Sequence, residues 1–308
     1  MPNQIPFSGA TGAAGGFVLP DRQGELLTNG LLQEGGAINL AGDRRATGSR
    51  KEVFPIWLGT PTAGVVGEGA RKPVTGGELG QANLTAKKIA SIVLFTDEQK
   101  ADMINGDVDV LVDSGVRSAI ADVIDVQATG NDSGTNITSS FDSMLRSTTT
   151  TVEYDATKAD GLRLAVSAAW GTLEANGYGK ASDVGVLLGG DVARHLRDAR
   201  SSTDTTKPAY ADTDPLYGLQ REFSTNLNGI TEVAGVGKIV GFVVHKPNIH
   251  VRIRKDVTLT ASSEATINDG VSDRFLFQED LTAVRYETRL GMLVHDLNRA
   301  VVAIVNAA

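Results

Sequence analysis

The sequence predicts an α+β fold, and three observations carry that prediction. Segments with an apolar period near 3.6 stand beside segments that alternate every second residue, so helices and strands are both expected. Glycine supplies 35 of 308 residues, about 11% against a usual ~7%, while aromatic residues make up only 5%. Much of the chain is therefore turn or extended segment, around a core of Val, Leu, Ile and Ala. Third, the C-terminal stretch Phe275–Val305 alternates cleanly and ends in the apolar run Ala300–Val305, as a buried sheet requires. The length allows one large domain or two modest ones.

Taken in order, residues 1–48 are glycine-rich and weakly periodic, with one short helix expected around Asp21–Leu32. They read as an arm that buries little within its own subunit and is ordered by lying on something else. Lys51–Leu58 reads as an edge or bent strand, because Pro55 interrupts it. A glycine- and proline-rich stretch then leads to a second strand, Leu84–Phe95, completing a β-hairpin with an extended loop. So long a structureless loop fits poorly in a compact domain, so it is expected to reach outward to a partner.

Asp97–Gly130 is the strongest helical segment. Asp107 stands at a capping position, and Val108, Leu111, Val112, Val116, Ala119, Ile120, Val123 and Ile124 follow at helical spacing. Asp109, Asp113, Arg117, Asp122 and Asp125 are assigned to the solvated face. Thr157–Gly177 repeats the pattern with Leu162, Val166, Ala169 and Leu173 and stops at Asn176-Gly177. Val184–Leu188 reads as a buried strand, Asp191–Arg200 as a short helix and Ser201–Pro215 as loop. Ile239–Val244 and Ile249–Ile253 read as strands around Pro247-Asn248. In the last segment Val284, Tyr286, Thr288 and Leu290 take one face, and Arg285, Glu287 and Arg289 the other.

Composition excludes several functions. No stretch approaches the ~18 apolar residues of a membrane helix, and Met1-Pro2-Asn3-Gln4 does not begin a secretory signal. Without cysteine there is no disulfide framework, thiolate nucleophile or Cys-ligated zinc. A net charge of −8 argues against tight nucleic-acid binding. The catalytic motifs are absent too. Gly235–Gly241 misses the G-x-G-x-x-G spacing and runs into a strand, so it reads as a turn. His195, His245, His250 and His295 are scattered; His245 and His250 flank a turn and face one another if it closes a hairpin, but zinc needs three or four ligands. Asp107, Asp109 and Asp113 lack the glycine and terminal glutamate of a calcium loop. No catalytic residue, cofactor site or metal site is assigned. The basic pieces Arg44-Arg45, Arg50-Lys51, Arg71-Lys72, Lys87-Lys88 and Arg252/Arg254-Lys255 are interspersed with acids and read as intersubunit ion pairs that set register. The candidate contact residues are Glu68, Arg71, Lys72, Lys87, Lys88, Arg285, Glu287 and Arg289.

The order of certain short segments carries a resemblance. Gly16-Phe17-Val18-Leu19-Pro20 is followed by Val53-Phe54-Pro55, then by the loop Ala63–Gly69 with Lys72-Pro73. The returning strand Leu84–Ala90 leads to a helix closing at Gly130-Asn131-Asp132. Leu216-Tyr217-Gly218-Leu219 and Glu287-Thr288-Arg289-Leu290-Gly291 come later. From about Gly16 to Val305 the chain resembles the major capsid proteins of tailed bacteriophages, of the HK97-type fold. The resemblance implies an N-terminal arm (1–48), an extended loop (49–95) lying across a neighbour, and the spine helix of a peripheral domain (96–135). It further implies an axial domain (136–268) and C-terminal strands returning to the peripheral domain (269–308). Some relatives crosslink through a lysine of the loop, matched by Lys72; the acceptor asparagine is replaced here by Arg274, which speaks against crosslinking.

The implied function is a structural one: self-assembly into hexamers and pentamers of an icosahedral virion shell around double-stranded DNA, built in the host cytoplasm. The implied partners are further copies of the chain, a separate scaffolding protein, a portal and decoration proteins, with DNA touched only weakly. No cleaved N-terminal scaffolding segment is expected, since the arm begins almost at Met1. The alternative within the same fold is an encapsulin-like compartment holding a cargo enzyme.

Overall fold

The computed structural model describes residues 36–57, 63–74, 79–98, 107–130, 150–190, 216–224, 238–268 and 270–306, apart from 159, 271 and 297, together with 141, 144, 192 and 227. The expected helices at 21–32 and 191–200 and the loop at 201–215 lie outside these residues, wholly or nearly so.

Two sheets organise the described chain. The first has four strands in the order β1 (Asp43–Ala46), β9 (Ile249–Ser262), β12 (Leu281–Val294), β4 (Lys87–Thr96). The second has five, in the order β5 (Thr151–Tyr154), β13 (Val301–Asn306), β8 (Lys238–His245), β6 (Val184–Gly189), β7 (Gln220–Ser224). Two small ladders complete the set: β2 (Lys51–Trp57) with β3 (Leu79–Thr85), and β10 (Thr266–Asn268) with β11 (Asp273–Phe275). The helices are α1 (Gly36–Asn39), α2 (Asp107–Thr129) and α3 (Gly161–Ala175).

The three inner strands of the five-stranded sheet, β13, β8 and β6, are covered on both sides, which is why they read as unbroken apolar runs. Leu187, Phe242, Val244, Val301 and Ala303 share one core with Val116, Ile120 and Ile124 of α2. Val186, Leu188, Val243, Val302 and Ile304 face the other way, onto Leu162, Val166, Ala169 and Leu173 of α3. α3 thus follows its expected face, and its end is closed by Gly177 N–H on Glu174 O and Tyr178 N–H on Leu173 O. The inner face of the four-stranded sheet, with Tyr286, Leu290 and Met292, joins the α2 core.

Several expectations are corrected. The single strand read at 84–95 is two: β3 pairs with β2, whereas β4 pairs with β12 from Leu281↔Thr96 to Leu290↔Lys87. The switch occurs at Ala86, whose N–H bonds to Arg50 O at 2.9 Å. The inward face changes phase there, from Ala82 and Leu84 in β3 to Ile89 and Val93 in β4, across the exposed pair Lys87-Lys88. Gly291 permits the junction: a Cβ there would stand 2.8 Å from both Leu84 Cδ2 and Thr85 O. β8 and β9 do not form a hairpin. The turn Lys246–Asn248 carries the chain from one sheet to the other, so His245 stacks on Tyr178 while His250 stacks on Phe54 and meets His295 edge-on. The C-terminal strands, read as returning together, divide: β12 enters the four-stranded sheet, and β13 the five-stranded one between β5 and β8.

The described end of the arm is also more embedded than expected. Ala37, Ile38, Leu40 and Ala41 are buried in the α2 core of their own chain, and β1 pairs in parallel with β9. Along α2, Val116, Ile120, Ala121, Ile124 and Ala128 form the buried stripe, whereas Ala119 and Val123 are exposed. Asp125 was placed on the solvated face. It is buried, because its carboxylate accepts the first N–H groups of α1.

Candidate intersubunit contact surface

Three fixed points hold the hairpin and the arm to the body. At the first, the guanidinium of Arg252 on β9, itself 4% exposed, donates from Nε to Glu52 Oε2 at 2.6 Å and from Nη2 to Asp43 Oδ2 at 2.8 Å. One side chain thereby ties the hairpin strand β2 and the arm strand β1 to the same sheet. The planar fork of arginine suits two carboxylates at once. Phe54 lies under that guanidinium at 5.2 Å and stacks on His250, whose Nδ1 is 3.0 Å from Asp43 Oδ2. Burial works against ionised Asp43, but the hydrogen bonds from Arg252 and His250 and the charges of Arg252 and Arg45 outweigh it. They hold its pKa down at about 2.

At the second point, Asp125 accepts from Gly36 N at 3.2 Å and Ala37 N at 3.0 Å. Burial raises its pKa, and the two backbone donors oppose that rise. A carboxylate with this role sits at aspartate's usual capping task, but its partner helix lies 88 residues away in sequence. The third point is Gly42, whose N–H bonds to Lys246 O at 2.9 Å in the turn between the sheets.

The predicted contact residues fall into two groups. Lys88, Glu287 and Arg289 are brought together, within one chain. Glu287, its side chain 8% exposed, takes Lys88 Nζ at 2.9 Å, Arg289 Nη2 at 3.2 Å and Lys255 Nζ at 3.6 Å. The Lys88 hydrogen bond is the foremost cause of its lowered pKa. Three cations, each 38–48% exposed, thus surround one buried carboxylate, leaving positive charge directed outward. Lys255, one of the basic pieces read as intersubunit, pairs within the chain here, because a bulge in β9 opposite Glu287–Arg289 sets its place.

The other group stays apart. Glu68, Arg71 and Lys72 lie exposed on the loop at 63–74, where Ala70 N–H closes a turn on Gly67 O at 3.0 Å. Val65 and Val74 are fully or nearly fully exposed beside them. Lys87 and Arg285 are exposed on the four-stranded sheet. Arg274 on β11 pairs with Glu279 at 3.2 Å.

The remaining motifs have structural explanations. In Leu216–Leu219, Tyr217 and Gly218 both have positive φ, +59° and +73°, and Leu219 N–H closes on Leu216 O. This turn leads into β7, and its tyrosine lies against Arg163 and Trp170. Residues 238–241 lie in β8, where a Cβ on Gly241 would meet Leu187 O at 2.7 Å; residues 235–237 lie outside the described residues. Asp107, Asp109 and Asp113 belong to the continuous helix α2. Among the described residues, no group of His, Cys, Asp and Glu is placed to hold a metal ion, and no helix is long and apolar enough to cross a membrane.

With that geometry in place, the comparison with known proteins is decisive at the level of family. The sequence profile described as the phage capsid family matches residues 15–304. The chain belongs to the phage capsid family. Solved structures agree on the fold of this capsid protein. A chain from Mycobacterium phage Bobi has a TM-score of 0.69 at 20% identity, over 89% of this chain and 91% of its own. One from Mycobacterium phage Cain gives 0.68 at 17%, over 89% and 90%. One from Gordonia phage Cozz gives 0.65 at 18%, over 100% and 92%. Among curated proteins, no relative matches the sequence. The protein is a phage major capsid protein, a structural component of the virion shell and not an enzyme.

Proposed function

We propose that this capsid protein has the HK97-type subdomain plan and builds hexamers and pentamers of an icosahedral shell around double-stranded DNA. The observation that carries this reading is the contrast between the hairpin's base and its tip. Its base is fixed by Arg252, Glu52 and Asp43, while the loop at 63–74 exposes Val65 and Val74. Ordering an extended loop has an entropic cost that burial of its side chains against a neighbour offsets. On this plan residues 1–48 form the arm, 49–95 the extended loop, and α2 the spine of the peripheral domain. α3 and the five-stranded sheet, including β13, form the axial domain. Scaffolding, portal and decoration proteins are the further partners, with assembly in the host cytoplasm, and the net charge of −8 keeps DNA contacts weak.

The test is assembly of the purified chain, with and without residues 59–80. The full chain is expected to form uniform icosahedral shells by electron microscopy. The deletion is expected to remain folded and soluble but to form none. Normal shells from the deleted chain overturn the role of the loop, and shells that co-purify with a specific cargo protein and no DNA point to a storage compartment.

A further inference from the structure

Most strands at the edges of the described sheets are short or carry charge or proline, and β4, the longest of the edge strands, is not protected in this way. β1 is four residues long and carries Asp43, Arg44 and Arg45. β5 is four residues long with Glu153, and β7 carries Arg221 and Glu222. β2 contains Lys51, Glu52 and Pro55, and β3 contains Gly80 and two amide side chains. Short length, charge and proline are the usual guards of a sheet edge. β4 has none of them after its first two residues. It runs for ten residues, and Ile89–Thr96 contains no charge, proline or glycine. From Lys87 to Phe95, among the described residues, no strand and no backbone hydrogen bond lies along its outer edge. Lys88, Ala90 and Ile92 share its exposed face, and Ile92 is 49% exposed. At the Lys88 end stands the cluster of Lys88, Lys255 and Arg289, which one carboxylate does not neutralise.

We propose that this edge receives residues 16–21 from the arm of a second copy of the chain, as an added antiparallel strand. The inference rests on the shell reading and names a site for the arm within it. Thirty-five residues precede Gly36. Within them Gly16-Phe17-Val18-Leu19-Pro20-Asp21 is an apolar run bounded by glycine, proline and an acid. Antiparallel pairing with Asp21 opposite Lys88 sets Leu19 opposite Ala90 and Phe17 opposite Ile92, all on one face because strand side chains alternate. That register brings a carboxylate to the cationic cluster and an aromatic ring to the exposed isoleucine. Val18 falls opposite Ser91. Pro20, which lacks an N–H, then guards the new edge.

The absence of native cysteine makes the test clean. Chains carrying Phe17→Cys are mixed with chains carrying Ile92→Cys, assembled and oxidised. Covalent dimers are expected from the mixture and from neither variant alone, and the pair Val18→Cys with Ser91→Cys is expected to behave likewise. A chain carrying both Phe17→Cys and Ile92→Cys is expected to give a ladder of multimers. A product of monomer mass overturns the proposal, since the arm then pairs with its own edge. So do shells of normal form in which neither pair crosslinks. Failure of the unmodified chain to form shells instead defeats the reading on which the proposal rests. Independently of any substitution, alternate amides of β4 are expected to exchange at least tenfold more slowly in shells than in free subunits. Equal exchange in the two states overturns the proposal.

Discussion

Replacing Arg252 with methionine tests the fixed base of the hairpin. The substitution keeps most of the side-chain volume and removes the fork that joins Glu52 to Asp43. Hydrogen bonds to charged groups contribute about 1.5–3 kcal/mol each. Here Asp43 is 21% and Glu52 37% exposed, so water re-solvates part of both carboxylates. Discounting for that solvation leaves a loss of about 2–4 kcal/mol, with a further ~0.5–1 kcal/mol from the Phe54 contact. For a chain of this size that lowers Tm by about 5–10 °C. Differential scanning of unassembled subunits reads the total, and hydrogen exchange at Glu52–Phe54 locates it. Arg252→Lys keeps the charge without the fork and is expected to fall between the two. A Tm within about 1 °C of the parent, with exchange in β2 unchanged, refutes the argument.

Four further outcomes follow from neighbouring features. Because the folded pKa of Asp43 is about 2, below its ordinary 3.8, its stabilising contribution is complete above about pH 4 and is lost as pH falls through about 2; acid titration of Tm is expected to be shallower over that window in Arg252→Met. Asp125 has the opposite sign: its raised pKa favours the protonated form in the fold, so its ionisation erodes stability as pH rises above the usual carboxylate range. Asp125→Asn is expected to abolish that dependence, while Asp125→Ala, which strips the cap from α1, costs about 1–2 kcal/mol by denaturant melts. Gly291→Ala forces a Cβ against Leu84 and Thr85 and is expected to cost about 1–3 kcal/mol, read as a lower denaturation midpoint. Glu287→Gln leaves Lys88, Lys255 and Arg289 facing one another, and its destabilisation is expected to shrink as salt is raised from 0.05 to about 0.5 M, since exposed cations are screened.

The elements legible in the sequence are those whose burial is one-sided and local. α3 shows its face through Leu162, Val166, Ala169 and Leu173 because nothing else competes for that face. The inner strands β6, β8 and β13 announce themselves as apolar runs for the opposite reason, being covered on both sides, whereas the polar outer strands β5 and β7 escaped reading. What escaped reading depends on partners far away in sequence. Asp125 looks like any surface aspartate of a helix until α1 lays its N–H groups on it. Leu84–Phe95 reads as one strand yet serves two ladders; the inward face shifts from Leu84 to Ile89 and Val93 across Lys87-Lys88, and which strand lies along each edge is set by partners far away in sequence. The cluster at Glu287 was visible only in part: Glu287 and Arg289 were found from their alternation, and Lys88 and Lys255 as basic pieces, but the bulge that brings Lys255 to Glu287 left no trace in the sequence.

The change of partner at Ala86 has a mechanical consequence. Only Ala86 separates β3 of the hairpin from β4, which is held to β12 over ten residues. A pull on the loop tip therefore loads all those cross-strand bonds together, in shear, instead of breaking them one by one from an end. Should neighbours grip the loop as a shell fills and its walls come under tension, the strain enters each tile along the stiffest direction of its sheet.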